Sequence, residues 1–351
     1  MTNLLRTLSF TLTLTTACTA YAQSSGPPAS KAVEDFYRGN TVFMIVGSAP
    51  GGGFDFYART IAKYLTKYIP GSPVVMPQNM PGGGGISAGS RVAVTAPQDG
   101  TYIGAIHPTT IVDPVLGDPT KGTKALNFAY LGSASMNVEA CFMRTDAAAK
   151  NFEELFSKEI VFGAANHSSS SREYVALLQN VMGMKIRLVS GYKGSNEIML
   201  ALERGEIGGT CGAGYQNVIA SFPRWFKDDF VRVVAYQGSK EITDTPEMRF
   251  AKPTISFAKT EEQRQILTLY DLQEEFGRPY VTGAGVPPER IQALRKAFMD
   301  ALNDTNLRQE VEGRNLDVSP ISGEELQRIV ASIYEAPEEI LVKTRRALGY
   351  E

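Results

Sequence analysis

Apolar residues along this chain fall alternately into short β-like runs and into helical three-and-four spacing. Residues 42–46 are a compact apolar run entering a glycine turn, as a buried strand would. Phe54, Ala58, Ile61, Ala62, Leu65 and Ile69 then recur at helical intervals, and Gly71 and Pro73 stop the helix they predict. A strand over 74–76, a short helix through Ala88, Val92 and Ala93, and a strand over 102–106 follow. A middle block repeats the alternation, with strands near 128–131, 138–143, 160–163, 186–189 and 208–211. Ser170-x-x-Glu173 reads as a capping box ahead of Tyr174, Leu177, Leu178 and Val181, with Gly183 as the stop. Gly194-Ser195 opens a helix carrying Ile198, Met199 and Leu202, which Gly205 closes. Residues 231–235 read as a strand returning to the first domain. Two helical stretches finish the chain, one behind Pro287-Pro288 and one behind the box Ser322-x-x-Glu325, interrupted at Pro337. Residues 24–33 lack core character.

This alternation predicts an α/β fold with mostly parallel sheets. At 351 residues the chain is too long for one ordinary core, so two domains are expected. The pattern suggests a first domain over 35–106 and 237–351, with a second inserted over 107–236. Hinge crossings near His107 and Tyr236 would make a clamshell with ligand between the lobes.

The chemistry concentrates in two glycine turns, Gly51-Gly52-Gly53-Phe54-Asp55 and Pro81-Gly82-Gly83-Gly84-Gly85, each between a β-like run and a helix. A glycine turn entering a helix presents unpaired backbone N–H groups at the positive end of the helix dipole. That arrangement holds a carboxylate or phosphate without a charged side chain. Asn166-His167-Ser168-Ser169-Ser170-Ser171 is a third such N-terminus, in the middle block. Its hydroxyls and N–H groups would meet the far end of a ligand, unless they are a solvated cap. Arg144, ending a strand, is either a carboxylate partner or a surface arginine.

Other readings lose support. Gly85-Ile86-Ser87-Ala88-Gly89 matches the G-x-S-x-G elbow of hydrolases, but residues 77–84 separate Ser87 from its strand. Only His107 and His167 are available as bases, and neither has the spacing of a zinc site. No G-x-G-x-x-G and no P-loop lysine occur, so no cofactor is expected. The formal charge of −2 and the lack of a basic patch argue against nucleic acid.

The first 22 residues read as a secretory signal peptide, with Arg6, an apolar stretch over 8–16 and Ala20-Tyr21-Ala22 as the cleavage site. Thr15-Thr16-Ala17-Cys18 is a poor lipoprotein box. After export two cysteines remain, Cys141 and Cys211, either buried small residues or one disulfide.

Taken together, the chain resembles the periplasmic solute-binding proteins of tripartite tricarboxylate transporters, the TctC or Bug family, over about residues 40–348. The pieces that carry the resemblance are Pro50-Gly51-Gly52-Gly53-Phe54-Asp55 with Ala58-Arg59, the run from Pro77 through Asn79 to Gly85, and Ala96-Pro97-Gln98-Asp99-Gly100-Thr101. Gly191-Tyr192-Lys193-Gly194 with Glu203-Arg204-Gly205-Glu206, and Gly285-Val286-Pro287-Pro288-Glu289-Arg290, complete the set. The resemblance implies a non-catalytic, two-lobed Venus-flytrap protein of type II-like fold in the periplasm. It would hold a small carboxylate and deliver it to the large and small permease subunits of a membrane transporter. The two glycine turns would take the carboxylate, while His107, Asn166 to Ser170, Tyr192, Gly212 and Tyr215 would complete the site. Many relatives carry an aspartate where Gly208 or Gly209 falls, so ligand identity stays open. A sensor feeding a receptor kinase and a hydrolase centred on Ser87 are the alternatives.

Overall fold

The computed structural model describes residues 30–117, 123–165, 169–238, 242, 245–314 and 316–350. The leader and Asn166, His167 and Ser168 lie outside them.

Among the described residues, twelve strands form two six-stranded sheets. They are β1 (Thr41–Val46), β2 (Val74–Asn79), β3 (Tyr102–Ala105), β4 (Phe128–Ser133), β5 (Glu139–Arg144), β6 (Ile160–Ala164), β7 (Ile186–Ser190), β8 (Gly209–Gly214), β9 (Val231–Tyr236), β10 (Lys252–Pro253), β11 (Pro279–Gly283) and β12 (Ile321–Ser322). The first sheet runs β12-β4-β11-β3-β1-β2 and the second β10-β9-β5-β8-β6-β7. Each sheet is covered by helices on both faces, with separate apolar clusters filling the gaps.

The α/β, two-lobed expectation holds, but the sheets are mixed and only half of the ten strand pairings are parallel. The antiparallel ones belong to strands near the passages between lobes. β11 and β12 run against the other strands of the first sheet, and β5 runs against β8 and β9 in the second. Sheet membership also departs from the expected boundaries. β4 belongs to the first sheet, so the outward passage follows Ser133 rather than His107. β9 does not return the chain to the first domain; it pairs with β5 and β10 in the second sheet, and the return comes after Pro253.

Local expectations largely match. Glycine turns follow β1 and β2, and β2 reaches Asn79 despite Pro77, which an edge strand tolerates. A helix the apolar pattern did not mark, Lys31–Tyr37, starts at Ser30 and buries Val33 and Tyr37. The helix Glu261–Asp271, also unmarked, has a full capping box between Thr260 and Gln263. The box assigned to Ser170 is displaced: Ser169 is the cap, accepting from the N–H of Arg172, and the Glu173 carboxylate is engaged elsewhere.

Cys141 and Cys211, on the neighbouring strands β5 and β8, form a disulfide. The C-terminal helix Glu338–Leu348 ties the lobes on one side. Its carbonyl ends accept from Asn180 Nδ2 at 2.7 Å and from Arg172, both on the second-lobe helix Ser170–Asn180. Among the described residues no helix is long and apolar enough to cross a membrane.

Candidate functional site

A cleft of about 630 Å³ opens between the lobes. Four helices of nine or more residues begin on its wall, with Gly53, Pro108, Ser170 and Ser195 as their first residues. Convergent helix N-termini aim backbone N–H groups and positive dipole ends at one volume. Such a volume favours an anion.

The first glycine turn contributes through Gly53 and Phe54, while Gly51 and Gly52 form its exposed rim. Asp55 faces inward and fastens the turn. Its carboxylate accepts from Gly51 N–H at 2.8 Å, from Arg59 Nε at 3.0 Å and from Asn79 Nδ2 at 2.8 Å. Arg59 Nη2 reaches Asn79 Oδ1 at 2.7 Å, and Asn79 Nδ2 also reaches the Ser48 carbonyl at 2.9 Å. Burial would raise the Asp55 pKa, but these hydrogen bonds together outweigh it and hold the carboxyl below its ordinary value. Asp55 thus buckles the two glycine turns together across the ends of β1 and β2.

In the second turn, Gly82–Gly85, the buried Gly85 packs against His107 of the cleft wall. Gly85 has φ +101°, and a Cβ there would come within 3.1 Å of His107 Cδ2. The turn therefore sets the imidazole. His107 lines the cleft with its ring 3.7 Å from that of Phe54. Burial, then the neighbouring Arg278 charge, lower its pKa to about 4, so the ring is neutral at pH 7.

Arg278 is the charged group that sequence reasoning missed. It lines the cleft with its guanidinium 4.1 Å from the Phe54 ring centre and 4.7 Å from that of Tyr57. Its backbone is pinned to the end of β4 by its N–H to Ser133 Oγ at 3.1 Å and by its carbonyl accepting from Ala134 at 3.0 Å. Among the described residues no carboxylate lies within ion-pair distance of it, and its buried Nε has no hydrogen-bond partner. Its signal in the sequence was faint, an arginine between Gly277 and Pro279 at the mouth of an apolar strand. Arg144, the arginine the sequence did single out, is spent on Asp146 and on the Leu202 carbonyl at 2.9 Å.

The second lobe contributes Ser170, Ser195 and the β8 backbone around Gly212. Ser170 Oγ donates to the Gly212 carbonyl at 3.2 Å. Gly212 has φ +72°, and a Cβ there would stand 2.5 Å from Ser171 N, so only glycine lets β8 press on the helix start. Ser169 is occupied as the cap. Tyr192 packs against the second lobe's core instead of the cleft wall. Tyr215 lines a smaller cavity of about 260 Å³, which shares Asn137 and Glu274 with the cleft. Ser87 lies inside the helix Ile86–Ser90, separated from β2 by residues 80–85, and no hydrogen bond joins it to His107 among the described residues. No metal-binding cluster occurs among the described residues.

No family model matches the chain. One curated relative, the UPF0065 protein in the TAR-I ttuE-ttuC' intergenic region of Agrobacterium vitis, is 28% identical over 184 residues, 51% of this chain and 52% of that protein. The chain thus spans about half the length of the curated relative it matches. Among solved structures, a TctC solute-binding protein from Polaromonas superposes with a TM-score of 0.69 at 18% identity, covering 88% of this chain and 99% of that one. MatC from Rhodopseudomonas palustris with bound malate gives 0.58 at 19% identity, over 88% and 98%. A further R. palustris protein with adipate gives 0.57 at 19%, over 87% and 97%. The fold is that of the TctC-type solute-binding proteins. In this TctC-type frame the four helix starts, Arg278 and the neutral His107 share the cleft between the lobes.

Proposed function

We propose that this protein is a periplasmic solute-binding protein that captures a small organic carboxylate between its lobes. It would hand that ligand to the large and small permease subunits of a tripartite tricarboxylate-type transporter. The observation that carries the reading is the convergence on one inter-lobe cleft of four helix N-termini and an arginine with no ion pair among the described residues. Malate and adipate in structures of the same fold support the ligand class.

In this mechanism an open cleft admits the anion to the start of the helix Gly53–Tyr68, where backbone N–H groups and the Arg278 guanidinium neutralise it. Closure then brings up Ser170, Ser195 and the β8 backbone, shifting the population toward the closed state. Neutral His107 gives a donor or acceptor without a competing charge. Thermal-shift screening across mono-, di- and tricarboxylates tests this. A ligand at a hundredfold excess over Kd should stabilise the protein by about 2.7 kcal/mol. Stabilisation by neutral sugars alone would overturn the reading. Proteoliposomes holding both permease subunits should take up labelled ligand only when this protein is added.

A further inference from the structure

The smaller cavity, of about 260 Å³, sits at the junction of the lobes. Met136, Asn137 and Val138, on the outward passage between β4 and β5, form one side of it. The second lobe adds Tyr215, which follows β8, and Tyr236, which ends β9. The first lobe adds Asp317 and Ser319, which precede β12, and the end of the helix Glu261–Asp271 closes another side. Asn137 and Glu274 border both this cavity and the cleft, and the Asn137 N–H donates to the Glu274 carbonyl at 2.8 Å. Joined in this way, the two residues stand as a partition. Arg278 and the four helix starts line the cleft alone.

Most of the cavity wall is apolar, with Met136, Val138, Ile255 and Leu272 beside the two tyrosine rings. Against it stands Gln237, only 1% exposed. Its backbone N–H donates to the Glu139 carbonyl at 2.8 Å, but among the described residues neither Oε1 nor Nε2 has a hydrogen-bond partner. A buried amide with both ends unclaimed is costly and rare in folded chains. A planar group that both donates and accepts would satisfy it. The acids nearby set the charge of such an occupant. Burial raises Asp271 to about 7 and lifts Glu274 well above the ordinary carboxyl range. An anion would meet these carboxyls and, unlike in the cleft, no arginine. A cation would give up its hydration to acids that burial pushes toward their neutral form. An apolar cavity of about 150 Å³ already takes benzene, so this one has room for a ring bearing a small polar group.

We propose that the cavity is a second binding site, for a small uncharged aromatic carboxamide whose amide pairs with Gln237 and whose ring lies among Tyr215, Tyr236 and the apolar wall. The site is separate from the anion cleft and stands or falls independently of carboxylate capture.

Calorimetry with benzamide and its cationic counterpart benzylamine tests it. Benzamide should bind with a Kd of about 1 mM or tighter, an ordinary affinity for so small a ligand, and at least about tenfold more tightly than benzylamine. Benzoate, an anion suited to the cleft, should not displace it. In hydrogen exchange, benzamide should protect residues 136–138 and 237–238 and leave the helix start at Gly53 unchanged. Gln237→Leu removes the amide at similar volume. It should weaken benzamide about tenfold while the melting temperature holds or rises, as when an unpaired polar group leaves an apolar wall. Tighter binding of benzylamine, displacement by benzoate or protection at Gly53 instead would overturn the proposal. Absence of benzamide binding at about 10 mM would also overturn it, leaving water as the partner of Gln237. The comparison of ligands and the exchange map decide the question even if the variant folds poorly.

Discussion

Replacing Arg278 with methionine separates a binding arginine from a structural one, because the two roles predict opposite patterns. The guanidinium is largely buried with no ion pair to any described residue, and it contacts the Phe54 and Tyr57 rings at 4.1 and 4.7 Å. Losing those contacts costs about 0.5–1 kcal/mol each. Removing an uncompensated buried charge returns a similar or larger amount. The net change in stability should therefore stay within about 1 kcal/mol, or about 2 °C in Tm for a chain of this size. Affinity should respond very differently. A guanidinium–carboxylate contact in a closed cleft contributes about 1.5–3 kcal/mol, so Kd should rise roughly ten- to a hundredfold. Arg278→Lys should recover part of it, since the charge remains and the planar fork does not. Titration calorimetry with the best ligand from the screen, beside a thermal melt of each variant, gives both quantities. Binding within threefold of wild type in Arg278→Met would refute the assignment. A melt lowered by many degrees would show that the arginine holds the lobe together instead. In the same variant the His107 pKa should climb from about 4, yet stay below its ordinary value, because burial is the larger cause of its depression.

Other expectations follow from single contacts. Asp55→Asn removes the charge that clasps Gly51, Arg59 and Asn79, so stability should fall by about 1.5–3 kcal/mol and affinity with it; unchanged denaturation midpoints would rule out the buckle. The pH response has a defined sign. Burial first, then the neighbouring acids, raises Glu139 to about 7, and burial also raises Asp271 to about 7, so the folded state prefers both protonated. Their stabilisation is full below the ordinary carboxyl range and is lost as pH climbs through 7. The unliganded protein should accordingly melt higher at pH 5.5 than at pH 8, and E139Q should flatten that slope. Cys141 and Cys211 close a loop of 70 residues, so reduction should remove about 4 kcal/mol of stability by the chain-entropy estimate; a melt indifferent to dithiothreitol would contradict it.

Much of the architecture was legible because it rests on local signals. Each strand of the middle block stands where its apolar run placed it, and the helix starts at Gly53, Ser195 and Pro288 coincide with glycine or proline punctuation. Sheet membership was not legible. Whether β4 pairs in the first sheet or the second depends on contacts with β11 and β12, which arise about 150 and 190 residues further on, and no local pattern encodes such a pairing. The same limit hid the helix Glu261–Asp271. Its polar face drowned the periodicity, and its buried Ile266, Leu267, Leu269 and Tyr270 take their meaning from packing at the lobe junction.

The site shows where residue type misleads. Glycine turns drew attention to backbone N–H groups, and Gly53 does open a helix on the cleft wall. Yet the side chains beside those turns have divided their work. Asp55, next to the supposed anion seat, is turned inward as a fastener, which removes a negative charge from the wall that Arg278 commands. Glu173, which read as half of a capping box, is instead one of three carboxyls facing the ligand volume. Both displacements follow from one physical rule. A carboxylate at a helix start satisfies backbone N–H groups when they are unclaimed and is freed when another group claims them. At Gly51 the amide donates to Asp55, so the carboxylate is consumed. At the other helix Ser169 caps first, and Glu173 is left to the cleft. Which carboxylate is spent on its own turn and which is left to the cleft is thus decided by which residue wins each helix cap.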